Sequence, residues 1–303
     1  MHTDRGARTN RRVEGRVGRL SPPDYRRRSP LARPFHGRAV RWRRDGVSGE
    51  TAALDGGIIV LRRFRFPSRS AALSGRRIFF LSDLHFHGGA AQARRIAALR
   101  QAVADIHPDL LLLGGDAVGD SCAIAQLSGV LRDLSAPAVE ALAVPGNWER
   151  GKRWLDIGVW KDIYSRGGFR LLCNEHVSCS GIGVYGCDDL VHGDPLPPGE
   201  PPSSDDGFRI LLAHRPDAAV AFDDRGGLAP FDLVLCGHTH GGQWRLPGAG
   251  ALYVPGFYHR RFDRGWFRHC ELPLRMLVSS GCGELSLPGR FNCRREAVLI
   301  ELV

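Results

Sequence analysis

Five times between residues 76 and 243 a short apolar run stops at a side chain able to hold a proton or a cation. RRIFFL leads into Ser82-Asp83-Leu84-His85, LLLL into Gly114-Gly115-Asp116, ALAV into Pro145-Gly146-Asn147, RILLA into His214, and LVLC into Gly237-His238-Thr239-His240. Continuous rather than alternating apolarity marks strands covered on both faces, which occur in sheets with helices packed against them. The intervening segments supply the helices: residues 90–105 carry Ala93, Ile96, Ala97 and Ala104 at helical spacing opposite arginines, and residues 123–134, 153–166 and 216–222 read likewise. Gly57–Phe66 is expected to form a short β segment, 138–144 a strand, and 169–187 two short strands, with a β-rich pattern beyond Trp244 ending in RMLVSSGCG and EAVLIELV. Helices alternating with strands and followed by a β-rich part predict an α/β sandwich with strands of mixed direction.

Charge is distributed unevenly along the 303 residues. Of the formal net charge of +10, residues 1–50 contribute +9, from fourteen Arg against Asp4, Glu14, Asp24, Asp45 and Glu50. This segment also carries Pro22, Pro23, Pro30 and Pro34 without apolar periodicity, the composition of a solvated arm that cannot repay its ordering entropy. The expected division is therefore a basic, disordered leader over 1–50 and one globular domain over 51–303. The leader is compatible with an arm that touches phosphates or acidic lipid, a plain solvated tail, or an upstream stretch included by a misplaced start codon. Arg11-Arg12 resembles an export signal, but no apolar segment of the required length follows, so no signal peptide is expected. Eight cysteines without a CxxC pair, Cys187, Cys236 and Cys282 among apolar runs, point to buried reduced thiols. The expected location is the cytoplasm, with peripheral contact to anionic lipid at the inner face of the membrane through the leader.

The five polar stops carry the chemistry. Asp83 and His85, two apart, would point the same way if strand geometry persists through them, and a carboxylate beside an imidazole suits a divalent metal. Asp116 follows a buried strand, where a carboxylate is costly unless paired or coordinated; Asp120 is its rival, in a solvated loop. Asn147 offers an amide oxygen to a hard cation and Glu149 a group to orient its neighbours. In His238-Thr239-His240 an extended segment would turn both imidazoles to one side. Each element alone has a plain structural reading, as a turn or a satisfied histidine. Together, two aspartates, one asparagine and four imidazoles suffice for two divalent metals sharing a carboxylate, the inventory of a dinuclear hydrolase. Gly181–Gly186 (GIGVYG) matches G-x-G-x-x-G but leads into Asp188-Asp189 with no helix signature, so a nucleotide-binding loop is rejected. Asp188-Asp189 is expected to be a strand-end turn, with a carboxylate at the edge of the site as the alternative.

SDLH, GGD, GNWE, AH and GHTHGGQ, in this order over residues 76–243, resemble the calcineurin-like metallophosphoesterase family. That resemblance implies a four-layer α/β/β/α sandwich of two mixed sheets with the metals at the strand ends. It implies that Asp83, His85 and His240 bind one metal, Asn147, His214 and His238 the other, and that Asp116 bridges them, with Asp116, Asn147 and His238 also counted as catalytic. The implied reaction is in-line attack of a metal-bridging hydroxide on phosphorus, with Mn, Fe or Zn as fitting metals. Most members of the family carry His after the Asn, where it protonates the leaving group; here Trp148 stands there. His87 is a candidate acid, with a plain surface histidine as the bland reading, or a leaving group of low pKa such as a pyrophosphate needs no acid.

GNWE, GHTHGGQ and the C-terminal SSGCGELSLPGRFN segment are similar to the bacterial branch that includes membrane-associated phosphodiesterases and UDP-diacylglucosamine pyrophosphatases. Trp244, Phe257, Tyr258, Trp266 and Phe267, interleaved with Arg260, Arg261, Arg264 and Arg268, are either an exposed surface for an amphiphilic phosphoester or a partly buried capping cluster. Soluble nucleotide or small phosphodiester substrates stay open as alternatives. Neither nucleic acid nor an obligate protein partner is expected. The alternative from another class is a nucleic-acid-binding module that uses the basic leader and a structural metal, but structural zinc sites are usually closed Cys/His tetrads.

Overall fold

The computed structural model describes residues 41–152, 154–200, 207–285 and 289–303. Sixteen strands are found among the described residues. They are β1 (Trp42–Arg44), β2 (Glu50–Leu54), β3 (Ile59–Phe66), β4 (Arg77–Leu81), β5 (Leu110–Leu113), β6 (Glu140–Ala143), β7 (Arg170–Leu171) and β8 (Glu175–Cys179). There follow β9 (Ile182–Gly186), β10 (Phe208–Leu212), β11 (Leu233–Cys236), β12 (Arg245–Leu246), β13 (Gly250–Ala251), β14 (Gly265–His269), β15 (Arg275–Val278) and β16 (Arg295–Leu302). The helices are α1 (Ala90–Ile106), α2 (Ile124–Ser135), α3 (Asn147–Gly151), α4 (Ile157–Arg166) and α5 (Pro216–Asp223).

Two seven-stranded mixed sheets form, one in the order β2-β3-β16-β4-β5-β6-β7 and the other β1-β14-β15-β11-β10-β9-β8. Strands β4 to β7 run parallel, as do β9, β10, β11 and β15, whereas β16 runs antiparallel to β4 and parallel to β3. The apolar runs are covered on both sides. Ile78, Phe80, Leu110 and Leu112 meet Ile210, Leu212, Leu233 and Leu235 between the sheets, while the alternate residues Phe79, Leu81, Leu111 and Leu113 pack on Leu99, Val103, Leu127, Leu131 and Trp160 of α1, α2 and α4. The outer face of the second sheet, with Leu211, Val234 and Met276, is covered by Ala219 and Phe222 of α5. The result is the expected α/β/β/α sandwich.

Several sequence expectations are corrected. Order reaches into the expected leader: β1 pairs antiparallel with β14, and Trp42 is buried. One apolar residue among arginines gives a short edge strand no periodicity to detect. Residues 1–40 lie outside the described residues. The helix expected over 153–166 begins only at Ile157, where Asp156 caps it by accepting from Gly158 N at 2.7 Å. The 169–187 region holds three strands instead of two, because Asn174, with φ 58°, turns the chain between β7 and β8. Trp266 and Phe267 are buried, and Phe257 and Tyr258 partly so, leaving Trp244 as the exposed aromatic of that group. GIGVYG ends in β9 with no helix after it. No disulfide is formed among the described residues; Cys187, Cys236 and Cys282 are buried as expected, whereas Cys122 and Cys270 are exposed. Among the described residues no helix is long and apolar enough to cross a membrane.

Candidate metal centre

The C-terminal ends of β4, β5, β6, β10 and β11 converge where the two sheets meet, bringing together all seven side chains singled out as ligands. They arrive by a route other than the extended backbone expected. Asp83, His85, Asp116, His238 and His240 all have positive φ (53°, 42°, 52°, 69° and 50°). Each chain thus curls at its strand end and points its side chain inward, and this left-handed backbone at non-glycine positions is strain of the kind concentrated at functional sites. Neighbouring glycines permit the crowding. A Cβ on Gly237 would overlap Ser82 Oγ and Asp83 Oδ2, and one on Gly146 would overlap Asp116.

Two buried triads result, Asp83/His85/His240 and Asp116/His214/His238. In the first, His85 Nε2 lies 3.0 Å from His240 Nε2, and Asp83 Oδ1 lies 3.4 Å from His240 Nε2 and 3.9 Å from His85 Nε2. In the second, His214 Nε2 lies 3.2 Å from His238 Nδ1 and 3.1 Å from Asn147 Oδ1. Asp116 Oδ2 stands between them, 3.6 Å from His85 Nε2 and 3.3 Å from His214 Nε2. Six ligand-capable side chains that face one another without solvent, two of them carboxylates, are costly to bury unless positive charge lies among them. The donor set of carboxylate, amide oxygen and imidazole therefore fits divalent cations.

Surrounding groups orient these donors. Ser82 Oγ donates to Asp83 Oδ2 at 2.6 Å, and His238 N donates to both Asp83 oxygens at 3.1 and 3.0 Å. His214 Nδ1 lies 2.8 Å from Gly114 O, which only accepts; Nδ1 thus carries a proton and Nε2 is the nitrogen that faces the site. Arg215 Nη1 meets His238 Nε2 at 2.7 Å, with Arg215 Nε held at 2.8 Å by buried Asp189, and Arg290 Nη2 meets His240 Nδ1 at 3.1 Å. Guanidinium only donates. To offer the opposite nitrogen to a cation, each of these two rings must move its proton across and its arginine must turn away.

Glu149 is the hub beneath the centre. Fully buried, it accepts from Asp116 N (3.1 Å) and Gly146 N (2.9 Å) on Oε2, and from Ala117 N (2.8 Å) and Tyr164 Oη (3.1 Å) on Oε1. Burial, reinforced by the Asp116 charge, raises its pKa. Burial likewise lowers His85 to about 4 against the pull of Asp116 and Asp83. At His214 burial works downward too, but the Asp116, Asp83 and Asp189 carboxylates outweigh it and raise the ring to about 10. Asp83 is held well below the usual carboxylate range because the histidines, His240 foremost, overcome burial.

The remaining sequence candidates lie around this centre. Asp120 caps the turn at Cys122 from an exposed position, accepting from Cys122 N at 2.9 Å. His87 is exposed, its ring against Gly119. Trp148 is half-buried, edge-on to His85 with ring centroids 5.6 Å apart, and its N donates to Asp116 Oδ1 at 2.8 Å. Asp188 and Asp189 form a buried turn whose second carboxylate reaches the centre through Arg215. The contributions of Tyr164, Arg215 and Arg290 carry no motif; a cationic side chain beside an apolar strand end, as in RILLAHR, was the one available signal.

Residues 76–242 match the calcineurin-like phosphoesterase family. Over 237 residues the chain is 32% identical to Phosphodiesterase YaeI of Escherichia coli, covering 75% of this chain and 82% of that protein. It is 32% identical over 204 residues to the metallophosphoesterase YkuE of Bacillus subtilis, covering 64% and 68%, and 27% identical over 232 residues to YkoQ of the same organism, covering 74% and 83%.

Proposed function

Since the chain belongs to the calcineurin-like metallophosphoesterase family and is a metal-dependent phosphoester hydrolase that uses two metal ions, we propose that it cleaves phosphodiesters or pyrophosphates at the centre built on Asp116. In this reading Asp83, His85 and His240 would hold one divalent ion and Asn147, His214 and His238 the other, with Asp116 placed between the two sets. The observation that carries it is the position of Asp116 Oδ2 within 3.6 Å of a donor from each triad. Divalent ions held there would supply Lewis acidity, activating water near neutral pH and neutralising charge on the phosphoryl oxygens.

The chain's own residues then have separable tasks. Glu149 fixes the Asp116 backbone, Trp148 N fixes the Asp116 carboxylate, and Asp189 through Arg215 fixes the neighbourhood of His238. Trp148 closes the His85 side with an indole, which has no proton to give at neutral pH, so the site favours leaving groups that depart as stable anions. That supports a diester with an acidic leaving group, or a pyrophosphate, over an alkyl monoester, and the phosphodiesterase name of the Escherichia coli relative agrees. His87 is the nearby protic side chain. If it acts as acid, His87→Ala slows esters with poor leaving groups more than those with good ones; equal losses remove it from the mechanism. Eight cysteines with no disulfide among them support a reducing compartment such as the cytoplasm.

The test is hydrolysis of bis-p-nitrophenyl phosphate and p-nitrophenyl phosphate with Mn²⁺, comparing the wild type, Asp116→Asn and a chelator control. Diester cleavage that requires metal and is lost in the variant is the expected result. A protein with no bound metal, or an Asp116→Asn variant as active as the wild type, would refute the assignment.

A further inference from the structure

The hairpin that follows the last metal-site histidine is built inside out. β12 and β13 pair with Arg245 opposite Ala251 and Leu246 opposite Gly250, and Leu252 N extends the ladder by donating to Trp244 O at 2.9 Å. Side chains alternate faces along such a ladder. Arg245 and Ala251 take the inner face, where Arg245 Nη1 bonds Gly241 O and Asp263 Oδ2, each at 2.7 Å, and Ala251 is buried. Trp244, Leu246 and Leu252 take the outer face at 37%, 45% and 52% exposure. Phe291, 48% exposed, stacks on Trp244 at 6.2 Å, and Tyr253 at the ladder's end is 66% exposed. Five of the eleven exposed large hydrophobic residues found among the described residues thus gather on one small ribbon. The usual arrangement, apolar inward and charged outward, is reversed here, and contiguous exposed apolar surface of this kind marks a contact face.

Charge identifies the partner. From Gln243 to Phe262 the sequence has no carboxylate but three arginines, and from Gly289 to Arg295 none against three. Arg260 flanks the ribbon, donating to Leu252 O at 3.3 Å from an exposed position, and Arg294 is exposed three residues beyond Phe291. The carboxylates nearest this face, Asp263 and Glu284, are engaged by Arg245 and Arg295, so Arg260 and Arg294 are exposed cations beside it. Trp and Tyr with leucines, rimmed by these arginines, match the boundary of an anionic bilayer, where aromatic rings sit at the headgroup level and guanidinium groups meet phosphate. The ribbon is also tied to the metal centre. Trp244 lies four residues from His240, and Phe291 follows Arg290, which contacts His240.

We propose that the 244–253 hairpin with Phe291 is a membrane-docking face for anionic phospholipid bilayers, holding the metal centre at the headgroup boundary. The suggestion that membrane-borne phosphoesters are delivered there rests on the hydrolase reading above; the docking itself does not. The full chain supplied with Mn²⁺ is floated with vesicles of phosphatidylcholine alone and of phosphatidylcholine with phosphatidylglycerol, and bis-p-nitrophenyl phosphate turnover is measured on the same preparations. Expected is binding to the phosphatidylglycerol vesicles, reduced about tenfold or more in Leu246→Glu/Leu252→Glu with soluble diester turnover retained. Arg260→Glu/Arg294→Glu is expected to weaken binding in a salt-sensitive manner. Wild type that fails to float, or a leucine double variant that floats as well as wild type, overturns the proposal, the latter assigning attachment to another segment such as residues 1–40. Light scattering that finds a wild-type dimer dispersed by the leucine substitutions gives the face to a second copy of the chain and also overturns it. Floating protein without turnover leaves docking intact and counts against the hydrolase reading alone.

Discussion

Replacing Glu149 by Gln keeps the shape of the hub and removes half of its accepting capacity. The carboxylate takes four donors, two per oxygen, from Asp116 N, Gly146 N, Ala117 N and Tyr164 Oη. An amide presents one oxygen and one NH₂, so two of the four donors face another donor whichever way the side chain is turned. Hydrogen bonds to a charged group contribute about 1.5–3 kcal/mol each, so the loss is about 3–6 kcal/mol before the benefit of no longer burying a charge. That benefit is real, since burial has already raised the Glu149 pKa. The net expectation is a destabilisation of about 2–4 kcal/mol, or about 4–8 °C in Tm for a chain of this size. The donors affected anchor Asp116 and the start of α3, which carries Asn147, so metal affinity should fall about 10–100-fold as well. Urea unfolding of the metal-stripped protein isolates the first effect and metal titration the second. Tyr164→Phe, which removes one donor, serves as the mild control at about 1 kcal/mol. A Glu149→Gln variant within about 0.5 kcal/mol of wild type and with unchanged metal affinity would show that the hub does not organise the centre.

Other expectations follow from the same geometry. Asp116→Asn should lower the metal content below two ions per chain and reduce diester turnover about a hundredfold or more, read by elemental analysis beside the kinetics. With His214 raised to about 10, the ring is protonated at neutral pH in the absence of metal and competes with a cation for the same nitrogen. Affinity for the ion at that position should therefore rise about tenfold per pH unit between pH 6 and 8, with proton release visible as a buffer-dependent binding enthalpy; a pH-independent affinity contradicts it. Arg215→Met leaves Asp189 buried and unpaired and should cost about 3–5 kcal/mol of stability, partly recovered in Arg215→Met/Asp189→Asn, a double-mutant cycle whose additivity would deny the pairing. Trp148→His restores a proton donor beside the centre and should speed phenyl esters relative to p-nitrophenyl esters; a uniform change in both rates would mean position 148 does not face the leaving group.

The seven ligand-capable side chains were legible because burial leaves a polar residue few reasons to stand at the end of an apolar strand. LLLL ending in Gly-Gly-Asp116 and LVLC ending in Gly-His238-Thr-His240 state both the strand and its exception within a few residues. Helices with a one-sided apolar pattern, such as α1 and α2, were visible for the same local reason. How the donors meet was not. The expected extended geometry at Asp83-Leu84-His85 and His238-Thr239-His240 gave way to left-handed backbone at Asp83, His85, His238 and His240, which no residue pattern announces. Only the packing of one sheet on the other places His85 of the first beside His240 of the second, 155 residues apart, and puts Asp116 between the triads. The arginines and Tyr164 that orient the centre come from positions with no spacing rule, since a side chain that serves another at long range leaves no periodic trace. The hairpin's face was beyond the sequence for a related reason: Trp266 and Trp244 have the same composition around them, and β14 is covered within the second sheet while β12 lies on a two-stranded ribbon with one face open. Local chemistry named the candidate ligands, and the tertiary fold decided which of them face one another, because that depends on distances between segments that the chain itself does not set.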